Sequence, residues 1–411
     1  MAAMNTPHSA QPVVAPPVVA PSVVAPSVVA LPILLLAAAG FLSAAGARVV
    51  DPLLSVIARD FSTTVPAVSI VVAAYTLPYG LCQIAIGPFG DRVGKMRVIL
   101  WAMFAFAIAT GACALAGTVN QLALLRIAAG AASAAVIPVG MAYIADAVPY
   151  AERQVTLSRF LNGIVLAQLV AGPVGGIFGE FIGWRGVFLM LAAGGIVLAI
   201  GLRLRIARLP DRRGAAAFSL SNYVVLARRP MARRILFCGW LDGVLLMGCF
   251  PFLAPYMHEQ FGLAYAAVGL ILAAFGVGAL AYTRFVRRMI PILGEPGCVL
   301  LGGGLMAASI AVGVLTPVWW LFIPVELLMG FGFYLLHGVM QARATELLPN
   351  ARATAVSSFA FVLFLGQSVG ALVLAALIAH AGYLAAFLAD AAAIIGLTLY
   401  LATVLRRPAQ P

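Results

Sequence analysis

Five ionisable side chains stand inside long apolar runs of this chain: Arg48, Asp51, Arg126, Asp242 and Glu326. In the hydrocarbon of a membrane such a charge costs roughly 2.5 to 3.5 kcal/mol at the centre of a helix and less near the interface, so each needs a partner or a task. Arg48 and Asp51 are three positions apart and share one helix face, and Pro52 beside them frees a carbonyl and favours a kink. Two roles fit this pair. It is either an anchor snorkelling toward an interface, or a cavity-lining pair in which a carboxylate that gains and loses its arginine also loses and gains a proton. Arg126 lies among small residues in LLRIAAGAASAAVIPVGMAYIAD, where helices can pack closely. His337 and Asp390 are weaker candidates, because a single histidine on an apolar helix reads first as a hydrogen-bonded structural group. The five cysteines, Cys82, Cys113, Cys238, Cys249 and Cys298, lie in or beside apolar runs without C-x-x-C or histidine-bearing metal spacing. They read as small core residues, and neither a metal nor a cofactor is expected.

The elements that must position these groups follow from composition. Of 411 residues, 64% are hydrophobic and 9% charged, against about 25% charged in soluble domains. This excludes a soluble protein and predicts an all-α integral membrane protein, since a backbone exposed to lipid must satisfy its own hydrogen bonds and the runs lack the alternation of a barrel. Twelve transmembrane helices are expected near 31–53, 66–87, 98–117, 121–143, 155–178, 185–203, 235–256, 266–286, 298–316, 318–340, 354–379 and 383–405. Residues 1–30, with their PVVA-like repeat, read as a disordered leader, because recurring prolines block both helix and central strand. They lack Lys and Arg, which argues against a cleaved signal peptide. Residues 206–234 read as an Arg-rich cytoplasmic linker between an N-terminal bundle at 31–205 and a C-terminal bundle at 235–405, with a tail at 406–411.

Charge placement sets orientation. A net charge of +12 is compatible with a nucleic-acid partner, but the arginines sit at the ends of apolar runs, as expected for cytoplasmic loops. With both termini cytoplasmic, all of the 25 Lys and Arg residues except Arg48, Arg59, Arg126 and Arg185 fall in inward loops and tails. The two halves also repeat. At an offset of 200, Gly130 meets Gly330, Arg126 meets Glu326, Asp146 meets Glu346 and Pro149 meets Pro349; after one deletion Arg153, Phe160 and Gln168 meet Arg352, Phe359 and Gln367. Two pseudo-symmetric six-helix bundles are therefore expected, with a central site between them.

The stretch GPFGDRVGKMRVI, Gly87 to Ile99, resembles the signature loop of the major facilitator superfamily, G-x-L-A-D-R-x-G-R-K, with Gly87, Asp91, Arg92 and Gly94 in matching positions. Lys95 stands in an arginine slot and Met96 in a lysine slot. Together with Gly90 these residues read as a tight charged hairpin that gates the cytoplasmic side, and the resemblance implies that Asp91 stabilises the outward-facing state. The second half keeps Arg284, Arg287 and Arg288 but has no acid at the counterpart of Asp91. Arg126 and Gly130 are similar to the family's R-x-x-x-G motif, which implies a part in proton transfer. Gly172, Pro173 and Gly176 resemble the G-P-x-x-G core of its antiporters, although Gln168 and Arg159 replace two further glycines of that motif. The resemblance implies a monomeric, proton-coupled exporter of a small organic molecule or drug in the cell inner (plasma) membrane. An importer or uncoupled metabolite facilitator remains open. A membrane sensor would need an attached signalling domain, and no long polar segment offers one. Without a Walker A loop, an HExxH motif or a nucleophile elbow, an enzyme is not expected and the energy must come from a gradient.

Overall fold

A computed structural model of the protein describes residues 26–206 and 220–406. Most of the expected leader, nearly all of the first half of the linker (207–219) and the tail at 407–411 lie outside the described residues. The helices are α1 (Pro26–Arg48), α2 (Leu54–Asp60), α3 (Val65–Val68), α4 (Ile70–Val93), α5 (Lys95–Cys113), α6 (Val119–Ser133), α7 (Val136–Ala147) and α8 (Tyr150–Arg205). From residue 220 on come α9 (Leu220–Arg228), α10 (Pro230–Asp242), α11 (Gly248–Phe261), α12 (Tyr265–Leu315), α13 (Phe322–Glu346) and α14 (Arg352–Arg406). Among the described residues, nine helical segments are long and apolar enough to cross a membrane. Three of these, in α8, α12 and α14, are 51 to 53 residues long, and each is interrupted by one glycine with positive φ: Gly183 (71°), Gly294 (63°) and Gly382 (78°). An L residue with a side chain avoids that backbone, so these glycines are where each long helix changes direction.

Three differences from the expected boundaries have physical causes. Helix α1 begins at Pro26 rather than after residue 30, because a proline at a first helical position gives up only an N–H that has no partner there. The linker is helical over α9, and α10 starts at Pro230. The expected charged hairpin contracts to one residue: α4 continues through Val93, so Gly87, Gly90, Asp91 and Arg92 have helical backbone, and Gly94 alone turns the chain, with φ 108°.

Breaks elsewhere follow the prolines. Between α1 and α2, Asp51–Leu53 form a short 3-10 turn with Pro52 in its first positions, the break expected from sequence. The α6–α7 break at Ala134–Ala135 lies four residues before Pro138, which cannot donate to the Ala134 carbonyl. A π-helical turn, Gly243–Met247, joins α10 to α11 and ends four residues before Pro251, whose ring opposes the Met247 carbonyl.

Contacts at the chain reversals identify two ends. At one, Trp184 Nε1 donates to Asp60 Oδ2 at 3.0 Å, Arg185 bonds the Ala116 carbonyl at 3.1 Å, and Tyr256 bonds the Val314 carbonyl at 3.1 Å. At the other, Lys95 pairs with Asp146 at 2.7 Å, Arg343 bonds Glu295 at 2.6 Å, and Arg229 bonds the Leu347 carbonyl at 2.9 Å. We call the first the far end and the second the near end.

The repeat recurs in three dimensions. Gly130 lies so close to the Tyr75 carbonyl that a Cβ would collide with it, and Gly330 stands in the same relation to Phe275, with both members 200 positions on. Gly40 packs on Phe160 and Gly239 on Phe359, both members 199 positions on. The first half joins the second mainly through α8 against α12 and α4 against α14. Gly172 packs on Leu272 and Gly269, Gly176 on Tyr265, and Gly80 on Phe364.

Candidate functional site

The break after α1 brings the Arg48–Asp51 pair to the seam between the halves. Arg48 Nη1 lies 3.6 Å from Asp51 Oδ2, while its Nη2 donates to the Met247 sulfur of the π turn at 2.8 Å. Its guanidinium also sits 4.6 Å from the centre of the Phe250 ring, within cation–π range. Arg48 is 7% exposed and Asp51 1%, and neither oxygen of Asp51 has a hydrogen bond. A buried carboxylate without a hydrogen bond carries a desolvation cost that the neighbouring guanidinium offsets only in part at this distance.

Arg126 holds the first half together. From α6 it donates Nη1 to the Gly46 carbonyl at 2.7 Å and Nε to the Val71 carbonyl at 3.3 Å, and it lies 4.1 Å from the centre of the Tyr75 ring. Tyr75 is fixed by Ser133 Oγ at 2.6 Å and the Ser43 carbonyl at 3.1 Å. Arg126 is close enough to Asp51 for their charges to interact.

In the second half Glu326 is fully buried, and both of its oxygens lack a hydrogen-bond partner. The charge of Arg48 reaches Glu326 and Tyr334 of the second half. Asp390 and Cys249 lie within hydrogen-bonding reach of each other, and Glu326 acts on the same thiol. Asp242 pairs with His337, Oδ2 to Nδ1, at 2.7 Å.

Of the remaining sequence candidates, Arg92 is exposed and Gly90 packs on Val139 of α7. The side chain of Asp91 lies outside the described residues, as do the surroundings of Gly87. Lys95 is 6% exposed and finds its acid in Asp146, a residue that sequence reading singled out only as a repeat mate. Gly172, Pro173 and Gly176 lie at the α8–α12 seam, where Glu180, one turn on, accepts a bond from the Ala266 N–H at 3.0 Å. Sequence reading missed Glu180, Met247 and the pairing of His337. An acid one turn beyond G-P-x-x-G was the available signal for Glu180; the other two join residues 199 and 95 positions apart and left none. At the far end a cleft of about 600 Å³ is lined from both halves, among others by Arg59, Thr63, His258, Glu259 and Tyr383.

The sequence profile of the Major Facilitator Superfamily matches residues 36–250 and 235–411. The chain belongs to that superfamily. As a facilitator it resembles an uncharacterized MFS-type transporter, YceJ, of Bacillus subtilis (strain 168), at 26% identity over 78% of this chain and 82% of that protein. It is 27% identical, over 74% of this chain and 61% of the relative, to MdtD of Salmonella heidelberg (strain SL476), whose name places it among multidrug resistance proteins. Among solved structures it resembles an inward-facing, unoccupied bacterial homolog of the human lysosomal transporter Spinster, with a TM-score of 0.75, 18% identity and coverage of 93% of this chain and 96% of that one. It also resembles a D-xylose–proton symporter, with a TM-score of 0.73, 17% identity and coverage of 90% and 96%. These two likenesses speak to the fold. The facilitator is thus a multi-pass membrane transporter of small molecules and not an enzyme.

Proposed function

We propose that this facilitator exports a small organic molecule or drug in exchange for protons, by alternating access between two six-helix halves. The observation that carries the reading is the buried Arg48–Asp51 pair at the seam, loosely held at 3.6 Å and bonded through Met247 to the opposite half. An arginine bonded across the seam must change partners when the halves rock, and its carboxylate then exchanges a proton with solvent. Twelve crossings follow if the three glycine-broken helices each cross twice. At ~1.5 Å per residue they are more than twice the ~30 Å of a bilayer core. With an even number of crossings both termini face one side, and the basic loops of the near end make that side cytoplasmic, in the inner (plasma) membrane. Export is supported by the G-P-x-x-G helix at the seam and by the likeness to a relative named for multidrug resistance. The protein is proposed to act as a monomer, its substrate and protons being its only required partners besides lipid.

Purified protein in liposomes, given an imposed pH gradient and a panel of organic cations, drugs and metabolites, should accumulate a member of that panel against its gradient. Asp51→Asn is expected to retain downhill exchange of that compound and to lose the response to pH. Uphill flux that survives in Asp51→Asn would remove this pair from the coupling, and a wild type indifferent to the gradient would leave an uncoupled facilitator.

A further inference from the structure

The second half holds a titratable pair that the Arg48–Asp51 mechanism does not use. Asp242 ends α10 and His337 lies in α13, and the two meet at 2.7 Å with side chains 0% and 10% exposed. Asp242 Oδ1 has no hydrogen-bond partner. The imidazole is therefore the more accessible member of the pair. It is held flat against Phe333, at 4.8 Å between ring centres, and flanked by Phe359 of α14 at 5.5 Å. The ionisable groups around the pair are Cys238, one turn back on α10, Tyr334, one turn back on α13, and Tyr282 of α12, which stacks on Tyr334 and abuts Gly338. Beyond Tyr334 stands Arg48 from the first half, which also faces Glu326. From α14 the contacts are with Phe359, which does not titrate. No lysine or arginine bonds either member of the pair among the described residues.

We infer that His337 and Asp242 form a second proton-binding site of the transporter, with His337 as the residue through which the proton enters and leaves. This deepens the proton-coupled reading and rests on it. With the proton bound, the pair is an imidazolium–carboxylate contact of no net charge. When the proton leaves to water from the imidazole, a single negative charge stays on the buried carboxylate. The two charge states differ most in how well they tolerate a dry surrounding, which is the condition for proton occupancy to bias one packing of the halves over another. The adjoining π turn gives the pair a path to the seam. Asp242 is the residue immediately before Gly243–Met247, Gly243 and Gly248 rest on the backbone of α14, and Met247 at the end of the turn receives Arg48. A π turn that shifts register on one side moves Met247 relative to Arg48.

The test uses the full chain. Its four histidines allow imidazole NMR on histidine-labelled protein in detergent, with the His337 signal assigned by its loss in His337→Gln. The wild-type signal is expected to report gain and loss of a proton as the pH is stepped, and its midpoint to move in Asp242→Asn. In liposomes His337→Gln and Asp242→Asn should keep downhill exchange while pH-driven accumulation falls about tenfold or more, with Asp242→Glu restoring part of it. A signal that keeps one protonation state throughout, or a midpoint indifferent to Asp242→Asn, overturns the site. So does full pH-driven accumulation in both variants. If the wild type proves uncoupled, the export-by-proton reading fails by itself, and the NMR midpoint still decides whether this pair binds a proton.

Discussion

At the scale of single residues, the buried arginines Arg48 and Arg126 are held in different ways. Arg48 is held by one long ion pair, one sulfur and one ring, contacts suited to being broken. Arg126 makes bonds to two backbone carbonyls from α1 and α4 and stacks on Tyr75, contacts that only a planar fork can make at once. Arg126→Lys is therefore expected to destabilise the protein by about 2 kcal/mol, since a point charge on a flexible stem keeps at most one of the carbonyls. Thermal unfolding in detergent reads this, and an unchanged Tm would mean that Arg126 is not a structural clasp. The residue types at the site were legible in the sequence because charges in apolar runs are rare. Their partners were not. Arg126 meets the carbonyls of Gly46 and Val71, which no side-chain pattern announces, and Asp242 meets a histidine 95 positions away.

At the scale of elements, composition alone gives helices, because in lipid no other open segment satisfies its backbone. The three reversals at Gly183, Gly294 and Gly382 fall within the gaps between apolar runs expected from sequence. The π turn after Asp242 could not be read, since it depends on how α10 and α11 accommodate Pro251 while packed on α14. What the small residues do became specific only in the structure. A Cβ at Gly176 would strike the Tyr265 carbonyl of α12, whereas a Cβ at Gly304 would meet nothing within 4 Å. Gly176→Ala should thus cost about 1–3 kcal/mol by overpacking the seam. Gly304→Ala should be neutral or stabilise by up to ~1 kcal/mol through helix propensity. Melting temperatures of the two variants measured side by side check this, and a larger loss at Gly304 would contradict the packing described for α8 and α12.

At the scale of the whole molecule, the halves meet mainly along two lines, α8 against α12 and α4 against α14, and each line carries a polar bond between the halves. Along α8 and α12 it is the Glu180 carboxylate on the Ala266 N–H, at the far end, above the glycine contacts of Gly172, Gly176 and Gly269. Along α4 and α14 it is the bond of Thr76 Oγ1 with Ser368 Oγ, at 2.8 Å, next to the Tyr79–Phe364 contact at 4.6 Å. Hydroxyl oxygens that close put their Cβ atoms near the ~3.5–4.5 Å that a disulfide spans. Replacing both residues by cysteine, Thr76→Cys with Ser368→Cys, should therefore let mild oxidation staple the two halves in the arrangement seen here. If transport requires this seam to open, the oxidised double variant will bind substrate but carry none across, reduction will restore flux, and each single variant will be indifferent to oxidant. Full flux through protein whose cross-link has been verified by mass spectrometry would show that α4 and α14 stay together through the cycle, and the moving boundary would then have to lie elsewhere in the bundle.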